Sequence, residues 1–336
     1  MDLEPVDPET ALEPYLEEKR TKSAAATIRS HRSRLGHFVR WCDERDIENL
    51  NNLTGRRLQE YRLWRRNDGN LSKTSVKTQV DTLRVFIRWL ETVDAVDPEL
   101  YLKIISPDVT PDENSRDVKI DKEDAEAMLS YLETYEYASR PHVTIALLWH
   151  TMMRRGAAHA LDVDDYDPDG QYLELRHRPD TGTPIKNGFD GERLVGLSGW
   201  LCNLLDDWIR DHRPDVTDSY GREPLLAMRQ GRPAKTTIAK YCYQYSRPCV
   251  YGDECPHDRE PETCEAVDDR SASTCQSSIS PHAIRRGSTT HHLKEDVPET
   301  AVSDRANVSQ RVLDQHYDRR TEREKMEQRR QYLDNI

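Results

Sequence analysis

Four short stretches of this 336-residue chain gather side chains that can handle a phosphate. LLWHTMMRRG ends an apolar run on Arg154, and the turn-rich DTGTPIKNGFDG carries Lys186. HAIRRG holds His282 and Arg285, and VLDQHYDRR holds Tyr317, 32 residues beyond Arg285. Arginine stays charged and forks onto phosphate oxygens. Lysine can protonate a leaving oxygen, and histidine changes charge near neutral pH. A tyrosine hydroxyl can attack a phosphodiester and remain bonded to it. A fifth stretch offers different chemistry. Cys242, Cys249, Cys255, Cys264 and Cys275 crowd together with His257 among them. Their thiolates suit a structural Zn²⁺ better than a disulfide set, because disulfides are rare in the cytoplasm. The expected ligands are Cys249, Cys255, Cys264 and Cys275, with His257 as a substitute. Cys242 falls on a helical pattern and reads as a free thiol, and Cys42 and Cys202 read as buried ones.

In type and order the first four stretches resemble the tyrosine recombinases of the phage-integrase family, and among them the Xer-like site-specific recombinases of haloarchaeal type. LLWHTMMRRG is similar to the family's first-arginine box, HAIRRG to its His-x-x-Arg box, and VLDQHYDRR lies where its nucleophile belongs. Lys186 corresponds to the lysine of the family's β-hairpin. The resemblance implies a strand-transfer enzyme that cuts DNA through a 3′-phosphotyrosyl bond to Tyr317 and needs no cofactor for catalysis. Arg154 and Arg285 would clamp the non-bridging oxygens, each supplying about 3 kcal/mol to the transition state. Lys186 would act as general acid, and His282 as proton shuttle or phosphate donor. Three positions depart from the pattern. Met152 stands for the usual Gly before the first arginine, and Ala157 for an acidic residue. SDRANVS replaces the usual His- or Trp-bearing motif, with Arg305 nearest that place. Arg305 is either a substitute phosphate donor or a surface residue.

The same resemblance implies double-stranded DNA as partner, a homotetramer on it, and a tail after Tyr317 that reaches a neighbouring copy. Three other functions fit some of the residues. A type IB topoisomerase would share the chemistry. A catalytically impaired DNA-binding protein on the same scaffold would explain the departures. A zinc-dependent DNA-binding regulator would explain the cysteines.

The elements that must position these residues form a mainly α (α+β) chain in two domains. Residues 1–19 read as an acidic, partly helical lead-in. Three helices follow: one from Ser23, one capped by Thr54, and one opened by Ser72 or Thr74, each with apolar residues at helical spacing. With the lead-in they make a helical domain over residues 1–110, which the resemblance identifies with the SAM-like core-binding domain. The polar, proline-bearing residues 106–118 read as a linker. A catalytic domain over 118–336 opens at Asp121, with Asp124 three residues on, in a capping arrangement. Val143 to Met153 predicts a buried helix. Tyr172–Arg176 and Arg193–Leu197 predict two strands of a small sheet, joined as a long hairpin. Helices are expected near 199–212 and 235–245 and again after 281. Residues 242–280 form a Cys-rich, possibly zinc-binding insertion.

Charge bears on the partner. The chain carries a formal net charge of −12. Residues 20–90 nevertheless hold 16 Lys or Arg against 7 Asp or Glu, a local +9 that an anionic polymer would meet first. Arginine outnumbers lysine 37 to 12. Abundant acid with little lysine suggests a halophilic protein, whose phosphate contacts must survive a Debye length of roughly 3 Å. Close, bidentate arginine contacts suit that condition. The acidic N-terminus lacks the features of a signal peptide, and no apolar run is long enough to span a bilayer, so a cytoplasmic location is expected.

Overall fold

The computed structural model describes residues 3–110, 118–252, 254–268, 270–295, 297–318 and 320–330. It divides into two compact units, residues 1–116 and 117–336. Most of the expected linker, residues 111–117, lies outside the described residues.

In the first unit four helices pack together: α1 (Pro8–Arg20), α2 (Ala25–Asp43), α3 (Gly55–Asp68) and α4 (Lys73–Thr92). Their starts follow local chemistry. Asp7 accepts from the Glu9 and Thr10 amides, Thr54 from the Arg57 amide and Ser72 from the Ser75 amide, each taking up a donor that the first turn leaves unpaired. The lead-in turns out to be part of the core. Tyr15 and Leu16 of α1 are fully buried, and the Tyr15 ring meets Phe86 edge-on at 5.0 Å. The polar residues around that narrow apolar stripe hide it in the sequence. Phe38, Trp41 and Tyr61 continue the aromatic core. The acidic face of α1 also neutralises part of the basic surface, since Glu13 holds Arg32 and Glu17 holds Arg20.

The second unit is built around α6 (Arg140–Thr151), whose Val143, Ile145, Leu147 and Leu148 are wholly buried. A helix apolar on every side must be surrounded. Around it stand α5 (Lys122–Tyr135), α7 (Arg155–Ala160), α8 (Gly199–Asp207), α9 (Lys235–Tyr245) and α10 (Pro281–Lys294). Asp121 precedes α5 but does not cap it by its side chain, and its carboxylate pairs with Lys119 at 2.5 Å instead. A cationic partner is a stronger attraction for a carboxylate than a neutral amide.

Three antiparallel strands form the small sheet in the order β1 (Tyr166–Asp167), β2 (Tyr172–Leu175) and β3 (Arg193–Gly196). Leu173 faces Val195 and Leu175 faces Arg193 across β2 and β3. The alternation of side chains therefore puts Arg193 on the same inner face as Val195. The chain closes with α11 (Glu299–Ala306), α12 (Gln310–His316) and α13 (Glu322–Arg330). Residues 331–333 of the expected tail helix lie outside the described residues. Among the described residues no helix is long and apolar enough to cross a membrane.

Candidate active site

Arg154 sits where α6 gives way to α7. Helix α6 ends at Thr151 because Met152 turns left-handed, with φ of 54°. That is the conformation glycine adopts freely and an L-residue adopts at a cost of about 1–2 kcal/mol. Met152 has no exposed surface and packs with Leu293, Val302, Leu313 and Tyr317. The reversal makes Arg154 the residue before α7, where its guanidinium donates to the Asn307 carbonyl at 2.9 Å.

Arg285 comes from the first turns of α10. Ser280 caps that helix by accepting from the Ala283 amide, and Pro281 occupies its first position. The glycine ending HAIRRG has a packing reason. A Cβ on Gly287 would collide with the Ile120 carbonyl, so only glycine lets the chain before α5 lie against α10. Ser288 bonds the Trp149 carbonyl and ties α10 to α6. So held, Arg285 is 1% exposed. Its two terminal nitrogens donate to the carbonyls of Met152 and, at 2.6 Å, Ala306. Its Nε donates to the Tyr317 hydroxyl at 3.3 Å, and the guanidinium lies 5.2 Å from the centre of that ring. Burial pushes the Arg285 guanidinium down to about 10, the Tyr317 phenol opposing the shift and the Arg154 charge adding to it.

Tyr317 ends α12 and is 4% exposed. Thr290 of α10 donates to its backbone carbonyl at 2.9 Å. His282, exposed on α10, meets the Tyr317 ring edge-on at 5.7 Å between centres. Beyond the tyrosine, the buried Asp318 and Arg320 pair at 2.7 Å, and Arg320 also reaches Glu299 at 2.6 Å. Tyr317 is thus fastened on both sides. Tail helix α13 is held by Lys294–Glu324 at 3.0 Å and Lys325–Asp318 at 3.5 Å.

The structure therefore gathers Arg154, His282, Arg285 and Tyr317, from stretches far apart in the chain. Arg305 is close by, but its guanidinium donates to the carbonyls of Gly196 at 2.7 Å and His150 at 2.9 Å. It braces α11 against the end of β3 and the end of α6. Lys186 is exposed in the connection between β2 and β3. The next residue, Asn187, donates to the side chain of Asn307 at 3.1 Å, so one asparagine meets both the lysine loop and Arg154. His291 stacks on Trp149 at 5.6 Å, and the His292 Nδ1 lies 2.8 Å from the Ser288 carbonyl.

A fourth arginine was not anticipated. Arg193 donates to the carbonyls of Arg305 at 3.1 Å and Gly191 at 2.9 Å. Burial pushes its guanidinium down to about 10, and the charges of Arg285, Arg154 and Arg305 push the same way. Its sequence signal was its phase, an arginine at a strand position that alternation assigns to the inner face. Guanidinium groups crowded together, with carbonyl and phenol acceptors among the described residues, make a site whose chemistry suits an anion.

The four cysteines expected to bind metal line a single cavity of about 30 Å³, together with His257, Arg247 and Arg259. It lies in the segment between α9 and α10. Cys242 is buried on α9, where its thiol lies 3.3 Å from the Ile238 carbonyl.

Residues 12–92 match the family model described as the N-terminal SAM-like domain of phage integrase. A search of curated proteins returned no match. Among solved structures, the chain is similar to the Tn1549 transposon integrase in complex with transposon right end DNA, with 13% identity, 98% of this chain and 100% of that one covered, and a TM-score of 0.68. A lambda integrase fragment, solved as a dimer bound to a COC′ core site, gives 14% identity, coverage of 94% and 96%, and a TM-score of 0.63. The N-terminal domain of a phage integrase/site-specific recombinase from Haloarcula marismortui is 36% identical over 31% of this chain and 99% of that one, with a TM-score of 0.30.

Proposed function

We propose that this chain, which has the fold of the tyrosine recombinases and phage integrases, is a site-specific DNA recombinase acting through Tyr317. One observation carries the reading. The Arg285 guanidinium lies 3.3 Å from the Tyr317 hydroxyl and close enough to Arg154 for the two charges to interact. The nucleophile and the groups that would hold its target phosphate are thus neighbours before any DNA arrives, as positional and electrostatic catalysis requires.

The step balances within the chain and its substrate. The Tyr317 oxygen bonds to phosphorus, and the bond from phosphorus to the 5′-oxygen breaks. The phenol proton passes toward His282, and Lys186 protonates the leaving 5′-oxygen. Arg154 and Arg285 neutralise charge gathering on the non-bridging oxygens, and Arg193 adds to their field. A 5′-hydroxyl from another strand reverses the reaction, and the 3′-phosphotyrosyl bond conserves the energy for it. Arg305 serves as a brace rather than a phosphate donor. The enzyme is of the Xer-like, haloarchaeal type, works in the cytoplasm at high salt, and assembles as a homotetramer on paired sites in double-stranded DNA.

Covalent trapping tests this. Nicked duplexes from the locus around the protein's own gene are incubated in high salt with native protein and with Tyr317→Phe. An adduct formed by the native protein and absent from the variant is the expected result. Site-specific binding without any adduct would overturn the reading in favour of a DNA-binding protein on a recombinase scaffold. Relaxation of supercoils without exchange between paired sites would favour a topoisomerase.

A further inference from the structure

We propose that Cys249, Cys255, Cys264 and Cys275 hold one structural Zn²⁺ in the segment that leads into the helix bearing His282 and Arg285. Among the described residues between α9 and α10 the chain makes only short turns, and its buried apolar side chains there are Ala266, Ala272 and Ile279. Long connections with so little core need another source of order. All four cysteines line the same cavity, and its volume of about 30 Å³ suits a single ion.

Their backbone settings repeat. The carbonyls of Cys255, Cys264 and Cys275 accept from the amides of Asp258, Val267 and Ser278, at 3.2, 3.0 and 3.1 Å. Three of the four cysteines therefore open the same four-residue turn. Cys249 falls within a fourth tight turn, Pro248–Val250. Among the described residues no three ligand groups already converge on one point, so binding must turn the thiols inward from the cavity wall. The His257 Nε2 lies 2.8 Å from the Ser277 hydroxyl, which leaves the cysteines as the ligand set.

The charges also balance. Binding releases four protons, and four thiolates with Zn²⁺ leave a net charge of −2. Arg247 and Arg259, both on the cavity wall, match it. The metal would steady the entry to α10. Directly after Cys275, the Ser278 hydroxyl bonds the Tyr243 carbonyl at 2.9 Å, and the Ile279 amide bonds the Ser246 hydroxyl at 2.9 Å. This binding would occur whether or not the arginine–tyrosine site cuts DNA.

The test is metal content of the full chain purified without chelator, by mass spectrometry and by mercurial release into a chromogenic chelator. The expected result is about one Zn per chain, retained in Cys242→Ser and lost in Cys249→Ser and Cys264→Ser. If a variant fails to fold, the reduced native chain is titrated with Co²⁺ alone, and the thiolate-to-cobalt absorption counts the sulfurs. No zinc in the native chain together with no such absorption would overturn the proposal. So would zinc that survives both serine substitutions or departs with Cys242.

Discussion

Replacing Arg193 by methionine should leave the second unit about as stable as before while removing much of its response to oxyanions. Two costs attend the native charge. Burial and the neighbouring Arg285, Arg154 and Arg305 move the guanidinium down from its ordinary value to about 10, which corresponds to roughly 3 kcal/mol against the charged form. Against this stand two hydrogen bonds, to the carbonyls of Arg305 and Gly191. Each contributes on the order of 1 kcal/mol, and leaving its acceptor unpaired costs a similar amount. Methionine keeps the stem's packing against the inner face of the sheet. The terms nearly cancel, so Arg193→Met should shift unfolding by less than ~1 kcal/mol. The charge is worthwhile only when an anion is present. Ligand binding to the folded state stabilises it by about 1.4 kcal/mol at ten times the dissociation constant. Urea unfolding in sulfate, against chloride at equal ionic strength, isolates that increment. Native protein should gain from sulfate, Arg193→Met should gain less than half as much, and Arg56→Met, at an exposed position on a helix of the other unit, should match native. Destabilisation by about 3 kcal/mol or more with the sulfate increment intact would refute the reasoning and make Arg193 a structural strut.

Two further predictions concern stability. The Asp162 carboxylate, 7% exposed, meets Arg222 at 3.0 Å, Arg178 at 3.3 Å and also Arg232. Asp162→Ala leaves those guanidiniums under-compensated and should cost about 3–5 kcal/mol in urea unfolding, and a loss under 1 kcal/mol would show the network to be dispensable. His142, His150 and His159 are each pushed down to about 4, chiefly by burial, from an ordinary value of 6.5. Their protons bind the unfolded chain first, so their stabilisation is complete above pH 6.5 and is lost as pH falls toward 4. The urea midpoint of the second unit should be flat from pH 8 to 6.5 and fall below that, and a midpoint unchanged down to pH 5 would contradict these neutral rings, His142 buried and His150 and His159 half-buried.

Local signals account for what the sequence makes legible. Thr54 and Ser72 announce helix starts because a hydroxyl there reaches amides two or three residues on. The apolar run before Arg154 can only be a buried helix, and the period-two stretches about Lys186 pair as expected. Contacts across long separations are less visible. Asn307 joins Asn187 to Arg154, and Arg305 chooses two distant carbonyls, because folding brings those partners near. Nothing local in SDRANVS distinguishes a brace from a phosphate donor. Strand β1 is two residues long and carries too little pattern to detect.

The departures at positions 152 and 157 acquire a physical meaning together. Met152 accepts about 1–2 kcal/mol of left-handed strain where glycine would accept none. Its side chain, buried against Tyr317 and Leu313, returns about 1.5–3 kcal/mol, and its carbonyl receives Arg285. The turn that aims Arg154 is therefore coupled to the seat of the tyrosine. With Ala157 in place of an acid, the contact holding Arg154 is the neutral Asn307 carbonyl. A carboxylate would orient the guanidinium more strongly but cancel part of its field. A carbonyl orients it and leaves the charge whole. Under the proposed function, with a phosphate to hold in concentrated salt where distant charges are screened and only close contacts act, undiminished guanidinium charge would be worth more than the firmer hold.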